Sequence, residues 1–315
     1  MLTPEQILND LKTDRVKKVI FDGDFSAEID DQYALAYALG LDKLEVLAAN
    51  AVAHYEYPDR CDTLSTVTFS YSELLRTLYV LGVDRDNFKH FMGATERIAA
   101  HADYSPSDSA ASRNIIETVK NSDEIVYIIT TGPCTSAVSA YLMDPSIADN
   151  MCVVWLGGSA ISDHTLKHSF HEWNLHSDYE ASQILFNSDI PVIMMHADDN
   201  GSGGIIFDTE HHFNQFEGDS LGAEFFRKIL PRVCATKDQL ANGWSKVMCD
   251  LMGPATVAHP DWVEFKIIPA PVITDDYKYA IDSTRKKILY AEYPKAELIA
   301  DDAVKAIKKL IYKGK

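Results

Sequence analysis

Short apolar runs alternate with longer amphipathic stretches from one end of the chain to the other, the pattern of a mostly parallel sheet covered by helices. The runs predict strands at 17–21, 45–52, 125–130, 151–156 and 190–195, with antiparallel-looking runs nearer the C-terminus at 264–273 and 286–291. Helical spacing predicts helices at 4–12, 31–40, 60–80, 109–120, 135–143, 178–187, 219–230, 236–250 and 296–312. No repeat, low-complexity tract or Pro/Gly/Ser-rich linker interrupts this pattern, so the expectation is one α/β domain over residues 1–315. The segments 159–171 and 197–218 read as loops, either binding lids or surface insertions.

Polar or glycine-containing clusters follow four of the predicted strands: Asp22 and Asp24, Thr131-Gly132-Pro133, Gly157-Gly158, and His196-Ala197-Asp198. Ligands of open α/β sheets bind outside the carboxyl ends of the strands, so all four clusters can face one crevice. The first is the most acidic. Asp22-Gly23-Asp24-Phe25-Ser26-Ala27-Glu28-Ile29-Asp30-Asp31 packs five carboxylates into ten positions, between the apolar run Val19-Ile20-Phe21 and the helix-like Tyr33–Leu39. Helix capping explains one or two acids at such a junction. It does not explain Asp22 and Asp24 on one side of an extended strand followed by an adjacent Asp pair. Two like charges about 4 Å apart repel by roughly 4 kcal/mol at an effective dielectric of about 20. A hard divalent cation held by oxygen ligands reverses that sign.

Composition narrows the partners. Lys plus Arg is 29 against 47 for Asp plus Glu, a net charge of −18, which argues against nucleic-acid and anionic-membrane partners and favours a neutral or cationic small ligand. The amino-terminal stretch lacks the basic and apolar regions of a signal peptide, and no long apolar run occurs, so the expected location is cytoplasmic. Five scattered cysteines, Cys61, Cys134, Cys152, Cys234 and Cys249, form no C-x-x-C pair, which points neither to a disulfide framework nor to a zinc site.

With those segments in place, the chain resembles the inosine-uridine-preferring nucleoside hydrolase family. Asp22, Asp24, Glu28, Asp30 and Asp31 match the longer form of its amino-terminal motif, D-x-D-x-x-x-[DE]-x-D-D. Ile128–Ala137 resembles its strand–GPLTN–helix segment, and Val153–Gly158 followed by Glu172–Ala181 resembles its LMGG and E-x-N-x-x-x-D-x-E-A pair. Met248-Cys249-Asp250 with His259-Pro260-Asp261 resembles the late H-D-x and P-[DE] region. The resemblance implies a Rossmann-like α/β core and a homodimer or homotetramer acting on a nucleoside or N-riboside. It implies that Asp24, Asp31 and Asp250, with the Thr131 carbonyl, ligate Ca2+, and that Asp24 is also the general base. Asp30 and Asn174 would hold ribose hydroxyls, Glu172 would reach the 5′ side, and Asp22 would stand behind the ligands. The chemistry is coherent on its own terms: breaking an N-glycosidic bond builds positive charge on the sugar, which an anionic pocket stabilises.

The chain departs from the pattern on the leaving-group side. Cys249 stands where the family has a histidine, and a thiol is a weak donor. The asparagine after the second strand is replaced near His54-Tyr55, and the one expected after Gly158 has only His164 nearby. Cys249, Trp244 and His54 are the candidates for a leaving-group pocket, with Trp173 as a second stacking candidate. His54, His164, His168, His171 and His196 are candidates for the missing acid. Two other readings stand beside the hydrolase: a ribosyl-binding protein of the same fold without turnover, and a haloacid-dehalogenase-type phosphatase using Asp22 and Asp24.

Overall fold

Val19, Ile20 and Phe21 are fully buried at the centre of strand β1 (Lys17–Gly23), which has a parallel neighbour on each side. Their alternation feeds two cores. Val19 and Phe21 join the apolar cluster on one face of the sheet and Ile20 the cluster on the other, as Ile129 and Ile128 do in the neighbouring strand. A strand buried on both faces reads as a continuous apolar run, as this one does.

The computed structural model describes residues 2–54, 63–98, 101, 103–161, 172–275 and 278–312. After β1 come β2 (Leu44–Ala51), β3 (Lys89–Met92), β4 (Val126–Thr130), β5 (Met151–Leu156) and β6 (Val192–Met195), then β7 (Ile206–Asp208), β8 (Ser245–Val247), β9 (Glu264–Pro269), β10 (Val272–Thr274), β11 (Lys278–Ala280) and β12 (Lys287–Glu292). The main sheet has the order β3-β2-β1-β4-β5-β6-β12-β9. Its strands are parallel except β9, which runs antiparallel to β12, while β7 with β8 and β10 with β11 form small antiparallel pairs. The expected architecture, an open and mostly parallel sheet with antiparallel strands near the C-terminus, is the one observed. Among the described residues no helix is long and apolar enough to cross a membrane.

The first helices are α1 (Pro4–Leu11) and α2 (Asp30–Gly40). Helix α2 is buried nearly all round, with Tyr33 through Ala38 fully enclosed. The C-terminal helix Ala296–Ile311 lies against it so closely that a Cβ on Gly40 would stand 2.4 Å from the Ala306 carbonyl oxygen. Tyr37 Oη donates to Asp302 Oδ2 at 2.8 Å, and His259 Nε2 lies 3.2 Å from the same oxygen. The His259 ring in turn stacks on Trp262 at 4.0 Å. The late His259-Pro260-Asp261 segment thus braces the helix that carries Asp30 and Asp31.

Three expectations are corrected. The stretch 236–250 is not one helix: it is a helix at Lys237–Asn242, a turn at Gly243 with φ +98°, strand β8, and a 3-10 turn at Cys249–Leu251. A left-handed glycine ends the helix, and pairing with β7 takes up the residues beyond it. The run 219–230 is α-helical only over Leu221–Glu224. Phe225–Ile229 then forms a π turn, with the Leu230 N–H reaching the Phe225 carbonyl at 3.0 Å ahead of Pro231. The run 264–273 divides into β9 and β10 around Ala270-Pro271, because Pro271 has no N–H to donate. Strand β3 and the β7–β8 pair are short, and the apolar pattern did not reveal them.

Candidate active site

The site begins where β1 ends. Asp22 is level with Asn50 of β2 and Thr130 of β4, and all three are fully buried. Burial pushes the Asp22 carboxyl up to about 7, with Asn50 and Ser136 opposing the shift from nearby. Gly23 follows because nothing larger fits: a Cβ there would lie 2.3 Å from Asp31 Oδ1 and 3.0 Å from Thr131 Oγ1. This close approach lets the start of α2 close over the strand end.

Thr131, one residue past β4, ties the two segments together. Its N–H donates to the Asp22 carbonyl at 3.0 Å and its hydroxyl to Asp31 Oδ1 at 2.8 Å. Its own carbonyl accepts from Asn174 Nδ2 at 2.9 Å, and the same nitrogen donates to the Leu156 carbonyl at 3.0 Å. Asn174 sits in the short helix Trp173–Ser177, which Glu172 caps. Glu172 accepts from the N–H groups of Asn174 at 3.0 Å, Leu175 at 2.9 Å and Gly158 at 2.5 Å. The Glu172 carboxylate therefore fixes the loop after β5 to the helix that presents Asn174.

Asp24, Asp30, Asp31 and Asp250 are all buried, at 3%, 6%, 1% and 5% exposure. Asp250 arrives from the 3-10 turn after β8, more than two hundred residues from the first block, yet the charges of the other three act directly on it. Burial, then the charge of Asp31 and Asp30, hold Asp24 well above the usual carboxylate range, with the Trp173 side chain opposing as a hydrogen-bond partner. Asp31 is pushed up to about 7 by burial and by Asp30, against hydrogen bonds from Thr131, Asp24 and Asp250. Asp250 is raised well above that range by burial and then by Asp30, Asp31 and Asp24. Asp30 is raised by burial, with Lys246 opposing. Four carboxylates so enclosed must hold protons or share a cation.

The donor set suits a hard divalent ion in kind: buried carboxylate oxygens, a backbone carbonyl at Thr131, and Asp24 Oδ2, which is buried with no hydrogen-bond partner. As they stand, no three His, Cys, Asp or Glu side chains among the described residues are spaced as a finished metal site. The carboxylates lean on Thr131 and on one another instead.

The remaining candidates are distributed as follows. Cys249 adjoins Asp250 and is part-buried; burial and then the charge of Asp30 push its thiol up to about 12, with Ser202 as a polar neighbour. His54 is buried at the end of β2, its ring 6.1 Å from that of Trp173 and its Nδ1 3.5 Å from Ser26 Oγ. Trp244 stacks on Phe213 at 5.3 Å, and Phe213 packs on Tyr33, so its ring is occupied by the core. His196 is fully buried against Tyr290 at 5.3 Å. His164, His168, His171, Tyr55 and Cys61 lie outside the described residues. Asp22, the acid that a phosphatase would use as its nucleophile, is fully buried.

One charged residue escaped the sequence reading. Lys246, in β8, pairs with Glu28 of the first acidic block and donates to the Val247 carbonyl at 3.1 Å. The available signal was weak: Lys246 is the one cation between Lys237 and Lys266, and Glu28 was the acid of the motif without an assigned role.

Residues 19–288 match the family profile described as inosine-uridine preferring nucleoside hydrolase. The pyrimidine-specific ribonucleoside hydrolase RihA of Escherichia fergusonii is 28% identical over 178 residues, and that of Salmonella typhimurium 27% over 180. Each alignment covers 52% of this chain and 56% of the relative, so the chain matches about half the length of these proteins. A plant nucleoside hydrolase superposes with a TM-score of 0.71 at 16% identity, covering 93% of this chain and 99% of its own. The purine-preferring ribonucleoside hydrolase from Gardnerella vaginalis gives 0.69 at 20%, covering 94% and 99%. At such identities the superpositions establish the fold.

Proposed function

This chain belongs to the inosine-uridine preferring nucleoside hydrolase family, and from that premise we propose that it hydrolyses the N-glycosidic bond of a ribonucleoside or related N-riboside, with calcium as its cation. The observation that carries the proposal is the meeting of Asp24, Asp30 and Asp31 with Asp250 in one buried acidic cluster at the carboxyl end of β1. Asp24, Asp31, Asp250 and the Thr131 carbonyl would hold the ion, which supplies a lowered water pKa and an anchor for the sugar diol.

The protein's own groups do the rest. Asp24 takes the proton of the attacking water; its Oδ2 has no other partner. Asp30 accepts from a ribose hydroxyl, and so does the side-chain oxygen of Asn174, whose nitrogen is committed to the Thr131 and Leu156 carbonyls. Glu172, engaged by three backbone N–H groups, shapes the 5′ side by holding the Trp173–Ser177 helix in place. Positive charge developing on the sugar is stabilised by the surrounding carboxylates. The acidic surface and the absence of paired cysteine motifs support a cytoplasmic setting, and the family likeness supports a homodimer or homotetramer.

The test is released ribose from purine, pyrimidine and nicotinamide ribosides, with and without a chelator. Release that a chelator stops and added calcium restores is the expected outcome. Binding of a riboside without release would mark a ribosyl-binding protein, and release indifferent to chelator would remove the cation.

A further inference from the structure

The acidic cluster gathers one sign of charge, and a surface pocket gathers the other. The pocket, of about 430 Å³, opens between the π turn Phe225–Ile229, the short helices Pro231–Cys234 and Lys237–Asn242, and the turn after β7. Arg227, Lys228 and Arg232 line it, and no Asp or Glu does. In a chain of 47 acidic and 29 basic residues that lining runs against the composition. We propose that this pocket binds a small phosphate-bearing anion.

The backbone explains how the cations meet. Residues five apart in a regular α-helix point about 140° away from each other, which would separate Arg227 from Arg232. The π turn, closed by the Leu230 N–H on the Phe225 carbonyl, takes up the extra residue, and both guanidinium groups reach one space. Such turns recur at functional sites. Arg227 Nη2 donates to the Gly218 carbonyl at 3.0 Å, which fixes the fork and leaves most of its five N–H groups for another acceptor. Arg232 is exposed and makes no hydrogen bond or ion pair with any described residue. Lys228 pairs with Glu224 at 3.3 Å, both side chains nearly half exposed, and a pair so solvated holds the ammonium only weakly.

The lining also selects the size and kind of ligand. Two guanidinium forks and an ammonium around one space match the oxygens and double charge of a phosphate group. Pro231 and Leu240 give apolar walls and Asn214 a side-chain amide, while the Thr209 hydroxyl is committed to the Trp244 carbonyl at 3.0 Å. The volume is that of a small-molecule site. Repulsion from the rest of a chain of net charge −18 is screened beyond about 8 Å at physiological salt, so the nearest charges decide.

The experiment titrates inorganic phosphate and glycerol 3-phosphate into the full chain by calorimetry, in chloride buffer at constant ionic strength. Wild type should bind one equivalent with a dissociation constant below about 1 mM. The double variant Arg227→Met with Arg232→Met should bind at least about tenfold more weakly, since it removes charge-assisted hydrogen bonds. Arg113→Met, whose guanidinium pairs with Asp108 at the start of the helix Ala110–Lys120, should leave affinity within about twofold. Thermal melts check that the variants are folded. Equal affinity for the two ligands identifies the free ion as occupant and preference for glycerol 3-phosphate identifies an ester; either supports the site. No binding by the wild type, or binding that the folded double variant retains, would overturn the proposal. Ribose release enters none of these outcomes, so they stand or fall apart from the hydrolase reading.

Discussion

Asp24 is the side chain on which the proposed chemistry converges. The proposed mechanism gives it two tasks, and Asp24→Ala should lower ribose release by at least about a thousandfold; activity within tenfold of wild type would remove it as the base. Cys249→Ala should change p-nitrophenyl riboside turnover by less than about twofold, because a protonated thiol contributes little to an already good leaving group. Single residues were legible in the sequence where neighbours in the chain are neighbours in space. Asp22 through Asp31 declare themselves within ten positions. Asp250 became visible only through family likeness, and Lys246 not at all, since its partner Glu28 lies 218 residues away.

At the scale of elements, the apolar runs of β1, β4, β5 and β6 were readable because each strand is buried on both faces. The region 236–250 was not, because Lys237–Asn242 and Met252–Ala258 carry helical spacing on either side of a short edge strand whose pairing with β7 depends on distant residues. At Gly40, α2 and the C-terminal helix approach backbone to backbone. Gly40→Ala should destabilise the protein by about 1–3 kcal/mol in urea unfolding, since backbone must move to admit the methyl group. An unchanged midpoint would show that the two helices separate freely.

For the molecule as a whole, the pH dependence of stability carries a test remote from the site. Lys286 donates to the Leu185 carbonyl at 2.9 Å and the Ile190 carbonyl at 2.7 Å, and burial lowers its pKa to about 7. Between that value and the ordinary lysine value the unfolded chain binds a proton that the folded chain does not, so this group makes stability rise with pH across that window. Below about 7 both states are protonated and the contribution is flat. Lys286→Met should flatten the difference between urea midpoints measured at about pH 7.5 and about pH 9.5; an identical slope in the variant would show that Lys286 stays charged when folded. The fold was the most legible level, because alternating strands and helices leave few ways to cover a parallel sheet. The leaving-group side was the least, because its residues come from separate loops.

The central claim is that one divalent ion joins side chains from the two ends of the sequence. Calorimetric titration of calcium into the wild type and into Asp250→Asn, alongside thermal melts confirming that both are folded, tests it most directly. The wild type should bind one equivalent, and the variant should lose affinity by at least about a hundredfold. A folded wild type that binds no calcium, or a variant that binds it as tightly, would mean that no such ion joins Asp250 to the first acidic block.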